Sequence, residues 1–180
     1  LAEMTVANDR EYFEQHPEYH MYLHPEFPSY EDQIAARDHM LKKHPGMRFV
    51  GAHLASLEWS TDESAKRLEA LANMAVDMAE RISHLQYQTV HEYEKVRDFF
   101  LKYQNRLLYS TDLSLDDSMD ILAFLHNAGT TWKKHWKFFT SNEMMEAPEV
   151  KKPFRGLHLP KAVINKLYLT NAANWYPGLI

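Results

Sequence analysis

The sequence predicts an α/β fold in which short parallel strands alternate with helices. Three short apolar runs carry this prediction, at residues 47–53, 74–77 and 107–111. Runs of this length that are bounded by turn residues are typical of strands buried on both faces. A helical pattern follows each run, and that alternation favours parallel strands joined by crossover helices.

Each run ends at a polar side chain that can carry chemistry. His53 ends the first run, Asp77 ends the second, and Asp112 directly follows the third. The C-terminal ends of parallel strands meet at one edge of a sheet, and ligands bind there in such folds. We therefore expect these three side chains to lie together in the arrangement of an active site.

Helix-start and helix-stop signals separate the runs. Capping-box patterns begin at Ser29, Ser60, Thr89 and Ser114, and Gly129 is a predicted helix end. Apolar residues at helical spacing then define the faces that should be buried. The predicted inward residues are Tyr30, Ile34, Leu41, Ala65, Leu68, Leu71, Tyr93, Val96, Phe100, Tyr103, Met119, Leu122, Leu125, Val163, Ile164, Leu167 and Tyr168.

Two stretches fall outside this alternation. Residues 1–28 are predicted to be irregular, because prolines interrupt any long helix. His16, His20 and His24 in this stretch follow at intervals of four, but we expect them to be surface and packing residues rather than a metal site. Residues 131–159 are less regular, with aromatic residues at helical spacing followed by a proline-marked loop.

The net charge restricts the partners of the chain. Its value of −5 at pH 7 argues against nucleic acid and against an anionic membrane surface. Lysines within 133–137 interleave with Trp132 and Trp136, and such a pattern can bind single-stranded nucleic acid. An amphipathic helix with a solvated lysine face is the interpretation that the acidic charge favours.

Length and cysteine content set further bounds. The 180 residues suffice for one domain or for part of a larger one, and the absence of cysteine excludes disulfides and thiolate metal sites. No apolar run approaches the roughly 18 residues of a membrane span. The chain begins at Leu1 with a polar, charged stretch, so we expect no signal peptide and an upstream part that was removed or left out. The compartment stays undetermined, with the cytoplasm preferred.

The number of strands limits the architecture. A three-stranded parallel sheet is a poor stand-alone structure, because its edges stay open. A closed eightfold barrel needs about 250 residues, more than the 180 of this chain. The sequence therefore predicts either part of a barrel or a small open α/β sheet.

Several motifs also occur in an order and spacing that match one family. They are Val-Gly-Ala-His-Leu at 50–54, Asp77 to Arg81, Leu-Leu-Tyr-Ser-Thr-Asp at 107–112, Leu-His-Leu-Pro at 157–160, and the segment 166–178 with Lys-Leu-Tyr, Asn-Ala and Pro-Gly. Together they resemble the C-terminal half of an amidohydrolase-related protein, from the metal-dependent TIM-barrel branch that contains hydrolases and decarboxylases. The resemblance covers the chain from about Ser29 onward.

The resemblance implies a domain arrangement and a partial site. Residues 29–180 would be the C-terminal part of a TIM (β/α)8 barrel, with strands six to eight, and residues 1–28 an irregular segment that continues from a missing upstream half. His53 and Asp112 match the strand-six histidine and the strand-eight aspartate, which act in catalysis and bind the metal. The His-x-His pair of strand one and the histidine of strand five have no match in this sequence.

The function that the resemblance implies is that of a metal-dependent hydrolase. A divalent ion, for which zinc is the expectation, would activate water for attack on an ester, lactone or amide. A decarboxylase of the same family is one alternative. A non-catalytic half-barrel that acts as an assembly module is another, and the fragment on its own need not be active. The expected partners are a small-molecule substrate and either another copy of the chain or the missing N-terminal half.

Other residues near the strand ends have two interpretations. Asp112 could instead be a helix N-cap or a loop residue, and His53 a satisfied histidine at the sheet edge. Asp77 and Arg81 are four residues apart, and we expect them to pair, with substrate contact by Arg81 as the second interpretation. Glu58 and Trp59 closely follow His53 and are predicted, with Arg81, to line the substrate pocket.

Overall fold

A computed structural model describes residues 7–178 of the chain. The helices are α1 (Ala7–Gln15), α2 (Tyr30–Lys43), α3 (Thr61–Ala70), α4 (Ile82–Lys102), α5 (Ile121–Thr140), α6 (Lys161–Asn165) and α7 (Asn171–Trp175). The strands are β1 (Phe49–Gly51), β2 (Met74–Asp77), β3 (Leu107–Leu108), β4 (Met144–Ala147) and β5 (Val150–Arg155). Turns of 3₁₀ helix occupy Pro17–Tyr19, Met21–Leu23 and His53–Ser56, and a π-helical turn occupies Lys166–Thr170. Within this range, no helix is both long and apolar enough to cross a membrane.

The first three strands form one parallel sheet in the order β1-β2-β3. Phe49 pairs with Met74, and Val76 pairs with Leu107. The α/β fold with three parallel strands and helices between them is therefore confirmed. The third strand is shorter than predicted, because the backbone N–H of Tyr109 donates to Leu167 O instead of continuing the ladder.

The main hydrophobic core lies on one face of this sheet. Met74, Val76 and Leu107 point to that face and belong to the main hydrophobic core. Core side chains on the helices include Leu41, Leu68, Val96, Phe100, Phe138, Phe139, Val163, Ile164 and Leu167. Ala75 and Leu108, which alternate with the first set, are buried but lie outside this core. The main core thus lies on one face of the sheet, and Asp77 belongs to the other.

Helix α4 begins earlier than predicted. The capping-box pattern at Thr89 lies inside the helix, and the Thr89 hydroxyl donates to Gln86 O, one turn earlier, instead of capping a helix start. Ile82 and Leu85 are buried and extend the apolar face towards the sheet. The backbone is non-helical at Glu92, so the helix carries a kink close to the predicted start.

Helix α5 differs most from its prediction. It was expected to open near Ser114 and to end at Gly129, but it is capped by Asp120, whose carboxylate accepts the Ala123 N–H at 2.7 Å, and it continues through Gly129. The predicted inward residues Met119, Leu122 and Leu125 are exposed, Leu122 by 77%. The prediction was wrong because another face packs on the core. Its residues are Phe124, Ala128, Thr131, His135, Phe138 and Phe139.

Two further stretches differ from expectation. Residues 131–159 contain the C-terminal half of α5 and then an antiparallel hairpin of β4 and β5, in which Val150 and Phe154 are buried. Residues 7–28, expected to be irregular, contain α1 and two 3₁₀ turns. His16 and His24 each contact a glutamate two residues later, at 3.3 and 3.2 Å, as surface residues.

Candidate metal centre

Three side chains converge at the C-terminal ends of the parallel strands. One ligand atom from each of His53, Glu80 and Asp112 lies within 4.8 Å of the other two. This set, called the donor group below, is the one such cluster of potential metal ligands among residues 7–178. His53 Nε2 and Asp112 Oδ2 are 3.7 Å apart. The structure therefore brings the two predicted ligands together and adds Glu80 to them.

The His53 ring is fixed by a backbone carbonyl. Its Nδ1 lies 2.9 Å from Ala79 O. Because a carbonyl oxygen only accepts hydrogen bonds, Nδ1 carries the hydrogen, and Nε2 of the neutral ring keeps its lone pair. Nε2 is the atom that faces Asp112, so the imidazole presents a ligand nitrogen to the donor group.

Asp77 holds the backbone on which the donor group is built. Its Oδ1 accepts the backbone N–H groups of His53 and Ala79, each at 3.0 Å. The expected pairing of Asp77 with Arg81 is therefore wrong. Arg81 precedes α4 rather than lying within it, so the four-residue spacing does not bring it over Asp77, and it contacts glutamates instead.

The turn that carries His53 has an unusual backbone. His53, Leu54, Ala55 and Ser56 all have positive φ, between 53° and 57°. Left-handed backbone costs roughly 1–2 kcal/mol for each non-glycine residue, so surrounding contacts must hold such a segment. Strain of this kind clusters at functional sites and supports a role for this turn.

Contacts from α2 and β1 hold this turn. The Tyr30 hydroxyl donates to Ser56 O, and the Arg37 guanidinium donates to Ala55 O. Gly51 in β1 leaves the space that the turn fills, since a Cβ at this position would lie 2.4 Å from the Ala55 Cβ. The local sequence Gly-Ala-His is therefore suited to this close approach.

Glu80 and Asp112 also have left-handed backbone, with φ of 56° and 59°. Their side chains are 61% and 56% exposed, so the donor group is open to solvent. The Ser110 hydroxyl accepts the Met78 N–H at 3.1 Å and ties the loop before Asp112 to the loop before Glu80. Sequence reasoning missed Glu80, because nothing in the sequence signals a left-handed glutamate.

The three predicted substrate-binding residues have protein partners. Arg81 lies between two carboxylates, with Nε 3.7 Å from Glu58 and Nη1 3.0 Å from Glu80. Trp59 Nε1 donates to the Tyr30 hydroxyl at 3.0 Å. Arg81 and Glu58 thus lie next to the donor group, whereas the Trp59 indole N–H is bonded to Tyr30 of α2.

A C-terminal tyrosine also reaches this region. Burial raises the pKa of the Tyr176 phenol, and the negative charge of Asp77 raises that pKa further. The Asp77 carboxylate is therefore close enough to affect Tyr176. Neither residue type nor spacing indicated this proximity, since Tyr176 follows the last helix and is far from Asp77 along the chain.

A second titratable cluster lies between β3 and α5. The Tyr109 hydroxyl is 3.2 Å from His135 Nδ1, and the Tyr109 ring stacks on Tyr168 at 4.1 Å. Burial, together with the charge of Lys134, lowers the pKa of His135 to about 4. Burial raises the pKa of Tyr109 to about 12. Both groups are therefore neutral at pH 7, and a hydrogen bond joins the Tyr109 hydroxyl to His135 Nδ1.

The donor group fits a divalent cation by its chemistry. One imidazole nitrogen and two carboxylates suit zinc and other first-row ions, and three protein ligands leave a position open. Two ligands of a tetrahedral zinc ion are about 3.3 Å apart when each bond is about 2.0 Å. The 3.7 Å between His53 Nε2 and Asp112 Oδ2 is near that value.

Comparison with known proteins leaves the family undetermined. No family model, no curated protein and no solved structure matches the chain. The established result is an α/β chain whose three parallel strands end at a histidine and two carboxylates that share one site.

Proposed function

We propose that this chain carries a metal-dependent hydrolase site of the amidohydrolase type. The observation that carries the proposal is the convergence of His53 Nε2 with the Glu80 and Asp112 carboxylates at the C-terminal ends of parallel strands. Ligand and catalytic groups of barrel enzymes come from the loops at this end of the sheet.

We further infer that the sheet is a segment of a barrel wall. Barrel strands are parallel, carry helices on their outer face and pack side chains inside the barrel. The face of β1, β2 and β3 that packs on the main core corresponds to the outside, and the face with Ala75, Asp77 and Leu108 to the inside. This correspondence supports the C-terminal part of a TIM barrel as the architecture.

In this proposal His53, Glu80 and Asp112 hold one divalent ion, with zinc preferred. When bound, the ion supplies a Lewis acid and lowers the pKa of a water molecule to about 7. The Nδ1–H of His53 stays on Ala79 O, so the imidazole works through Nε2 alone. A carboxylate has two oxygens, and the second oxygen of Asp112 can accept a proton from the attacking water.

The substrate class is an ester, lactone or amide. Arg81 fixes the Glu80 carboxylate and carries further N–H groups that can orient an anionic part of the substrate. Glu58 pairs with Arg81 and so positions the Arg81 guanidinium. Trp59 donates to the Tyr30 hydroxyl, and Tyr30 in turn restrains the turn that carries His53.

The first test is metal content, measured by mass spectrometry on protein purified in zinc-containing buffer. We expect about one ion per chain in the wild type and a loss of that ion in Asp112→Asn. Asp117→Asn, an exposed aspartate in the same loop, is the matched control and should keep the ion. A wild-type protein that binds no zinc would contradict the proposal.

The second test separates the two reaction types. Metal-loaded and metal-stripped protein are assayed with chromogenic esters and lactones, and with hydroxylated benzoates for release of carbon dioxide. Metal-dependent ester or lactone hydrolysis supports the hydrolase. Carbon dioxide release without hydrolysis would replace it with the decarboxylase alternative.

A further inference from the structure

A surface cavity between α4 and the β4–β5 hairpin contains two arginines. Its volume is about 340 Å³, at the lower end of the range for small-molecule sites. Three of its residues lie on α4, one precedes β4, and two lie at or just after the end of β5. The lining residues are Tyr93, Glu94, Arg97, Asn142, Arg155 and His158. None of them belongs to the donor group, so this cavity, called the arginine cavity below, is a separate place on the molecule.

Each guanidinium in the arginine cavity is anchored through its Nε atom. Arg97 Nε donates to Leu157 O at 3.1 Å, and Arg155 Nε makes a longer contact of 3.4 Å with Asn142 O. The Arg155 guanidinium also lies over the Tyr93 ring, 5.1 Å from the ring centroid, at the distance of a cation–π contact. These contacts orient both guanidiniums before any ligand arrives, which lowers the entropy cost of binding one.

The terminal nitrogens of both arginines have no protein acceptor. In the part of the chain that the structure describes, no hydrogen bond or ion pair engages an Nη atom of Arg97 or Arg155. Other arginines use these atoms, since Arg67 and Arg81 pair with carboxylates and Arg106 donates to backbone carbonyls. The arginine cavity therefore offers two planar pairs of N–H groups, which match the oxygens of carboxylate or phosphate.

The remaining side chains leave the cavity locally positive. Glu94 is the single carboxylate in the lining, and among residues 7–178 it forms no ion pair with either arginine. The Asn142 amide and the His158 imidazole likewise have no hydrogen-bond partner within that range, so both can donate to a ligand. Two arginines outweigh one glutamate here, although the chain as a whole has a net charge of −5. An anion is therefore the ligand that this cavity suits.

We propose that the arginine cavity binds the phosphate group of a small molecule. A phosphate group carries up to two negative charges at pH 7 and three strong acceptor oxygens, so it can pair with both guanidiniums at once. A carboxylate has one charge and two oxygens, and it would satisfy only one of them. A nucleic acid needs a row of basic contacts, whereas this cavity provides for one phosphate. The proposal goes beyond the hydrolase assignment and does not depend on it.

The test is isothermal titration of the full chain with inorganic phosphate and with glycerol phosphate. We expect a dissociation constant of about 1 mM for both, and weaker binding of acetate. Arg97→Gln and Arg155→Gln should each weaken phosphate binding at least about tenfold, because each removes charge-assisted hydrogen bonds. Lys151→Gln, which changes an exposed lysine of β5 outside the lining, is the control and should bind phosphate as the wild type does. Circular dichroism of each variant checks that the fold is retained.

Two further variants make the test specific for this cavity. Glu94→Gln removes the like charge beside the ligand and should tighten phosphate binding about threefold. Asp112→Asn, which alters the donor group, should bind phosphate as the wild type does, so this proposal and the metal site can fail separately. No binding of either phosphate compound up to about 20 mM, well above the expected constant, would overturn the proposal. Binding that both arginine variants retain, or that Asp112→Asn abolishes, would also overturn it.

Discussion

Asp77 Oδ1 accepts the backbone N–H of His53 at 3.0 Å, so a carboxylate at the end of β2 holds the second residue after β1. The contact is reciprocated, because the His53 ring lies 2.9 Å from Ala79 O in the loop that Asp77 begins. The same carboxylate oxygen accepts the Ala79 N–H. The loops that carry His53 and Glu80 are thus tied together below the donor group.

Asp77→Asn should weaken zinc binding by about tenfold, in the lower range for partners that orient metal ligands. The amide can still accept a hydrogen bond, but it loses the charge that strengthens the two N–H contacts. Isothermal titration with zinc measures the affinity. Asp62→Asn, an exposed aspartate on α3, is the control and should bind zinc as the wild type does. An unchanged affinity in Asp77→Asn would mean that the two loops hold their positions without this carboxylate.

Glu80→Gln should lower zinc affinity by about tenfold or more, since it removes one of three ligands. A loss of 1.4 kcal/mol corresponds to each tenfold change. This variant distinguishes the donor group of the structure from a site made by His53 and Asp112 alone. Glu146→Gln, which changes an exposed glutamate on β4, is the comparison. If both variants bind zinc equally well, Glu80 is not a ligand.

Local signals predicted much of the fold. Ser29 Oγ accepts the Asp32 N–H at 3.1 Å, and Ser60 Oγ accepts the Glu63 N–H at 3.3 Å, so two capping boxes act as the sequence indicates. The apolar runs become β1, β2 and β3 because strand burial depends on a few adjacent residues. The capping pattern at Thr89 led to a wrong prediction, because Thr89 lies inside α4. Tertiary packing, rather than this local pattern, sets where the helix begins.

The remainder depends on contacts that are distant in sequence. Val150 and Phe154 of β5 are buried against α4 and the rest of the core, which the hairpin sequence alone does not reveal. His53 and Asp112 were predictable because each follows a strand. Glu80 and Tyr176 were not, since one depends on a left-handed backbone and the other on how the C-terminal segment returns towards Asp77.

The partly buried His135 should make the protein less stable in acid. Its pKa is lowered to about 4 from an ordinary 6.5, so the unfolded chain binds more protons between these values. The neutral imidazole therefore makes its whole contribution to the free energy of unfolding above pH 6.5, and this contribution is lost as the pH falls towards 4. We expect this loss to be about 2 kcal/mol, less than the full shift implies because the site is partly hydrated.

Urea denaturation at pH 7 and at pH 4.5 measures this effect in wild type and in His135→Gln. The variant should lose about 2 kcal/mol less than the wild type between the two pH values, because glutamine does not titrate. His39→Gln, at an exposed position of α2, should follow the wild type. Equal losses in all three proteins would show that protonation of His135 is not linked to unfolding.

Gly51→Ala should distort the turn that carries His53. The new Cβ would lie 2.4 Å from the Ala55 Cβ and 3.0 Å from the Ala55 Cα, so β1 and the turn must separate. Overpacking of this kind costs typically 1–3 kcal/mol, and we expect about 2 kcal/mol in urea denaturation together with weaker zinc binding. Gly46→Ala meets no atom within 4 Å and is the matched control, with an expected change of at most about 0.5 kcal/mol. The turn carries the ligand His53, whereas β1 carries no ligand. A loss of stability without a change in zinc affinity would therefore mean that contacts with Asp77 and Ala79 position His53, and that the fit between Gly51 and Ala55 does not.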